Sequence, residues 1–171
     1  AKGDISAMAE TAPPRLPAPT VSKIVGGVNA RDGEFPFMVA LLIGMDFCGG
    51  SLIAEDWVLT AAHCINGSGI FAIIGATDPG SPGKEQFQVD RVIVHPSWSP
   101  QTYDYDFALV HLPKRSGFTP IALNREALSG NIGLMAAGWG LSSTAAGGVM
   151  KQLQKITLPL VSEERCSEFA V

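Results

Sequence analysis

Two side chains in this sequence are of the types that move protons. His63 ends the segment Trp57-Val-Leu-Thr-Ala-Ala-His63, where two alanines are too small to crowd its imidazole and Cys64 follows at once. Imidazole changes charge near neutral pH, so a histidine held in one orientation can serve as a general base. Asp106 sits in Asp104-Tyr-Asp-Phe-Ala-Leu-Val110, at the entry of an otherwise apolar strand. Burying a carboxylate there is unfavourable unless a cation or hydrogen-bond donors answer it. An imidazole N–H is a natural answer, because the carboxylate fixes the ring tautomer and stabilises the imidazolium that forms when the other nitrogen takes a proton. Asp104 falls on the opposite side of the turn and is expected in solvent. Each residue alone has a plainer reading, since a solitary histidine is more often half-buried and bonded to backbone.

The remaining reactive side chains are three cysteines, Cys48, Cys64 and Cys166, with no Cys-x-x-Cys spacing. A zinc ribbon or a thioredoxin-like centre has no support, and no metal site is expected. In an oxidising compartment one pair can form, and the third implies a partner elsewhere, an intermolecular bond or a free thiol. Cys48 and Cys64 could staple neighbouring strands, closing a loop near the ~15 residues for which chain entropy gives about 3 kcal/mol. Such a staple would restrain His63 beside it. Ser22-Lys-Ile-Val-Gly-Gly27 reads either as a linker entering a first strand or as an exposed loop cut after Lys23. Asn66-Gly-Ser68 is an N-glycosylation sequon in a turn.

The elements that must position these groups are short strands. Nineteen glycines and 12 prolines in 171 residues, with 46% hydrophobic and 16% charged residues, suit many turns around an apolar core rather than a helical bundle. The longest apolar run, Phe37–Met45, is far below the ~20 residues that cross a bilayer, so no membrane span is expected. Net charge is −4 and the basic residues are scattered, which argues against a nucleic-acid partner. Residues 1–23 are a proline-rich leader, and from Ile24 the composition becomes core-like. Strands are expected at Phe37–Ile43, Ser51–Ala54, Trp57–Thr60, Phe71–Gly75, Phe87–Val94 and Phe107–Leu112. Six strands over 24–112 fit a closed barrel, which leaves no exposed edge. After a looser stretch, residues 130–171 offer strands at Ile132–Gly138 and Leu153–Val161. A helical turn then follows, capped by Ser162 with Glu163 and Glu164 behind it. That second group cannot close alone and reads as part of a second module.

Taken together, these segments resemble the trypsin-like, chymotrypsin-fold serine endopeptidases. Ile24-Val-Gly-Gly27 resembles the family's activation site, Thr60-Ala-Ala-His-Cys64 its histidine box and Asp106-Phe-Ala-Leu109 its aspartate box, in matching order and spacing. Cys48-Gly-Gly-Ser-Leu-Ile53, Glu34-Phe-Pro-Phe37, His95-Pro96 and Gly138-Trp-Gly140 are further matches. The resemblance implies an all-β fold of two six-stranded barrels, the first complete and the second only partly present over 24–171. It implies His63 as general base, Asp106 as its orienting carboxylate, a Cys48–Cys64 disulfide and zymogen cleavage between Lys23 and Ile24. Protein or peptide substrates, an activating protease, protease inhibitors as partners, secretion and the absence of a cofactor follow from the same likeness. His95 and His111 would be structural.

One departure stands out. The family's nucleophile lies in Gly-Asp-Ser-Gly-Gly, which occurs nowhere in the 171 residues. Ser68, Ser81, Ser116 and Ser129 lie in glycine-containing loops, but none precedes a glycine pair or helix start that would supply oxyanion donors. The 171 residues are therefore expected to be an inactive fragment, with the partner of Cys166 in a missing segment. The alternative is a non-catalytic homologue that binds proteins.

Overall fold

The computed structural model describes residues 27–44, 46–67, 69–80, 82–130, 132–139 and 152–168. Ten strands, one 3-10 turn and one short helix make up the chain among these residues, so the fold is all-β. In chain order the strands are β1 (Val28–Asn29), β2 (Met38–Ile43), β3 (Asp46–Ala54), β4 (Trp57–Thr60), β5 (Ile70–Ile74), β6 (Glu85–Gln88), β7 (Arg91–Val94), β8 (Ala108–His111), β9 (Gly133–Gly138) and β10 (Gln154–Pro159). The helix α1 spans Glu163–Ser167, and the Ser162 side chain accepts from the Arg165 amide, as its position before two glutamates predicts. No helix among the described residues is long and apolar enough to cross a membrane.

Seven strands form one antiparallel sheet in the order β6-β5-β2-β3-β4-β8-β7. Its two end strands are consecutive in sequence, separated only by Val89 and Asp90. The Val89 amide bonds to the carbonyl of Ile70, the first residue of β5, and the Asp90 amide bonds to the His111 carbonyl on β8. The sheet thus curls until both edges belong to a single bent segment. The expected strand Phe87–Val94 is this segment, and it divides because its first half pairs with β5 and its second half with β8. The expected Ser51–Ala54 strand starts earlier, at Asp46, because Gly49 and Gly50 are part of the ladder with β2. A Cβ on Gly50 would lie 2.8 Å from Val58 Cγ1, so glycine there serves close packing rather than a turn.

Alternation explains why β2 is apolar throughout. Val39, Leu41 and Ile43 face the barrel core with Leu52, Val58, Ala72, Ile74, Val110 and Leu112. Met38 and Ala40 point the other way, into a second cluster with Ala30, Ile73, Ala76, Trp139 and Leu153. A strand buried on both faces reads as a continuous hydrophobic run. The second cluster joins the barrel to a smaller sheet ordered β1-β10-β9. The stretch 24–112 expected for the first barrel thus contains one strand, Val28–Asn29, that pairs instead with Gln154 and Lys155 of β10. Two residues are too few to read as a strand from sequence. The stretch after β8 wraps the barrel: Ser116 and Ile121 amides bond to Glu55 and Leu52 carbonyls, and the Phe118 ring covers Gly75, where a Cβ would lie 1.9 Å from it.

Candidate active site

His63 is carried by the 3-10 turn Ala62–Cys64 that follows β4. Ala62 and Cys64 are buried on either side of it, which turns the imidazole outward. Thr60 anchors the approach by donating its hydroxyl to the Gly49 carbonyl at 2.8 Å. Cys64 is bonded to Cys48 of β3, with Cα atoms 6.2 Å apart and a sequence separation of 16. A cross-link of that span contributes about 3 kcal/mol by constraining the unfolded chain. Cys48, His63 and Cys64 hold their ligand-type atoms within 4.8 Å of one another, but both sulfurs are consumed in the disulfide and offer no thiolate to a metal.

Asp106 lies two residues before β8, whose first residue is Ala108 rather than the expected Phe107. It is partly exposed, because the apolar strand begins after it. Its two oxygens are both held by one residue. Oδ2 meets His63 Nδ1 at 2.7 Å, and Oδ1 accepts the His63 backbone N–H at 2.8 Å. A carboxylate only accepts, so Nδ1 carries the ring proton and Nε2 is left with a lone pair. The His63 side chain is 50% exposed, and among the described residues no hydrogen bond reaches Nε2. Burial by itself would raise the Asp106 carboxyl. The hydrogen bonds from the His63 ring and backbone, the His63 charge and the Ala62 amide outweigh it and hold Asp106 below the ordinary aspartate value.

The other expected residues divide. Asp104 is exposed and accepts from the Thr102 hydroxyl at 2.6 Å. Asn66 is exposed two residues after Cys64, and its side-chain amide donates to Asp46 at 3.0 Å. Cys166 is a free, exposed thiol on α1. Ser116 is buried and donates to Glu85, and Ser129 is exposed. Lys23, Ile24, Ser68, Ser81 and Gly140 lie outside the described residues. His111 pairs with Asp90 and packs against Trp57, and His95 accepts from the Ser97 amide. Two tyrosines flanking Asp104 were not legible as special. Tyr103 and Tyr105 have φ of 60° and 55°, and the Tyr103 ring lies 6.1 Å from the His63 ring. The only signal was the alternation Tyr-Asp-Tyr-Asp, which says nothing about backbone handedness.

A curled antiparallel barrel with an imidazole–carboxylate pair at its rim is a chymotrypsin-like all-β arrangement. The chain matches the Trypsin family model over residues 24–170 and belongs to that family of serine endopeptidases. It is 35% identical to coagulation factor XII of Sus scrofa over 167 residues, covering 86% of this chain and 27% of the relative. It is 35% identical to serine protease 56 of Mus musculus over 157 residues, covering 85% of this chain and 26% of the relative. Trypsin Blo t 3 of Blomia tropicalis is 33% identical over 157 residues, covering 84% of this chain and 58% of the relative. The chain therefore spans between about a quarter and three fifths of these relatives' lengths.

Proposed function

We propose that the chain supplies the base half of a serine endopeptidase centre. The observation that carries this reading is the double hold of Asp106 on His63, ring and backbone together, with Nε2 left free. In the reaction a serine hydroxyl loses its proton to His63 Nε2 as its oxygen attacks the scissile carbonyl. Asp106 stabilises the imidazolium so formed and does not itself take the proton. The same proton then goes to the leaving amine, and water resolves the acyl-enzyme by the reverse sequence. No cofactor takes part.

The substrates in this reading are proteins or peptides, and protease inhibitors are natural partners of the same cleft. The protein is a secreted zymogen, activated by a protease that cuts after the basic Lys23 and frees the Ile24 amine. Asn66 carries an N-glycan. The disulfide and the extracellular chemistry it requires support secretion. The 171 residues contain no Gly-Asp-Ser-Gly-Gly, so by themselves they do not turn over substrate. The serine and its oxyanion donors come from sequence outside them.

The decisive variant is His63→Ala in full-length protein activated at Lys23–Ile24. Hydrolysis of peptide substrates falls by about 10⁴-fold or more. Unchanged turnover overturns the assignment.

A further inference from the structure

We infer that Tyr105, stacked on His95, is the positioning residue that aims the Asp106 carboxylate. The inference rests on the proposed role of the His63–Asp106 pair. Tyr105 has φ of 55°. That left-handed region suits glycine, asparagine and aspartate, and a bulky residue persists there only when its surroundings over-determine it. Burial is not the reason, because Tyr105 is 55% exposed.

What holds it is a ring platform. The Tyr105 ring lies flat on the His95 ring, with centroids 4.7 Å apart and planes within 6°. The Phe107 ring meets the same imidazole at 4.5 Å and 55°. Both sequence neighbours of Asp106 therefore grip one side chain. His95 is itself fixed: its amide bonds to the Phe107 carbonyl at 3.1 Å, its carbonyl accepts from Trp98 at 3.0 Å, and its Nδ1 accepts from the Ser97 amide at 3.2 Å. The Phe107 amide also bonds to the Tyr105 carbonyl at 2.7 Å, closing a three-residue turn with Asp106 at its centre.

This turn decides where the carboxylate points. Asp106 reaches two donors of His63 at once, at 2.7 and 2.8 Å, and a rotation of its backbone would lose one of them. A left-handed Tyr105 immediately before Asp106 sets that backbone direction, and the stack on His95 keeps Tyr105 there. The aromatic platform thus acts on the proton-transfer pair through Asp106, without touching the imidazole of His63.

The test reads the His63 ring by nuclear magnetic resonance in the isotope-labelled full-length protein, following its tautomer through the two ring nitrogens. Asp106→Asn provides the reference, moving the ring proton from Nδ1 toward Nε2 by removing the carboxylate that holds it. Tyr105→Gly removes the ring while accepting the left-handed backbone. It is expected to move the tautomer ratio at least half of the way toward the reference, whereas Tyr105→Phe keeps the stack and the wild-type ratio. His95→Ala leaves residue 105 intact, removes the platform and is expected to give the same displacement. A wild-type ratio in either the Tyr105→Gly or the His95→Ala protein, with Asp106→Asn displaced, overturns the positioning role alone. An undisplaced Asp106→Asn protein overturns the pair and the positioning role together.

Discussion

Two histidine–aspartate pairs of nearly equal length stand in the barrel among the described residues, and their surroundings differ as the pair proposed for proton transfer must differ from one that ties strands together. His63 meets Asp106 at 2.7 Å and His111 meets Asp90 at 2.6 Å, so distance does not distinguish them. Their other contacts do. Asp106 spends both oxygens on His63, ring and backbone, and leaves Nε2 unclaimed. His111 has carboxylates on both sides, with Asp90 at Nδ1 and Asp56 3.9 Å from Nε2, and its ring packs edge-on to Trp57 at 4.8 Å. Its side chain is 23% exposed against 50% for His63. A base must offer an accessible nitrogen to an incoming group, and of these two rings His63 is the more exposed. His111 instead ties β8 to the bend at Val89–Asp90, where the barrel closes.

The largest difference between the pairs is expected in turnover. In the activated full-length protein, Asp106→Asn lowers kcat by about 10⁴-fold because the imidazole loses its tautomer and its counter-charge. Asp90→Asn leaves kcat little changed. Comparable losses from both would dissolve the distinction. Next in size is the cross-link beside His63. Replacing Cys48 and Cys64 by serine removes about 3 kcal/mol of stability, read from denaturant unfolding. A loss well under that would mean that the reduced barrel already restrains the loop.

His111→Ala acts in the opposite register. It destabilises by about 1–2 kcal/mol through the lost bond to Asp90 and the lost contact with Trp57, without the turnover defect of His63→Ala. Thermal melting and peptide hydrolysis measured on the same two variants check this. A His111→Ala protein that melts normally but fails to turn over would reverse the roles of the two pairs.

Much of this contrast was legible in the sequence, and the reason is chemical. His63 and Asp106 stand out because polar groups intrude on apolar or small-residue runs, and β2 and β4 are found at or within one residue of their expected bounds because their apolar runs end in turn chemistry. What escaped was set by tertiary contact. Val28–Asn29 becomes a strand only because β10 lies beside it, and Phe87–Val94 splits only because the barrel must close. The His111–Asp90 bond joins residues 21 apart that no local pattern links. The left-handed tyrosines were hidden because tyrosine ordinarily avoids that conformation, and only the platform under Tyr105 accounts for one of them.

The smallest expected effect concerns acid. The Asp106 carboxyl is held below its ordinary value in the folded protein, against the opposing pull of burial, mainly by the His63 bonds. A carboxylate whose folded pKa is depressed adds stability above the unfolded value, and that addition fades as pH falls through the folded one. At neutral pH, then, the wild type benefits from Asp106 in a way that Asp106→Asn does not. Lowering the pH below about 4, the ordinary aspartate value, and on through the lower folded one should close the gap between the two proteins. Denaturant midpoints of the two proteins across this range make the comparison. A gap for Asp106→Asn that stays constant or widens on acidification would mean that the His63 bonds do not favour the charged carboxylate, and the first pair would lose the electrostatic feature that sets it apart from the second.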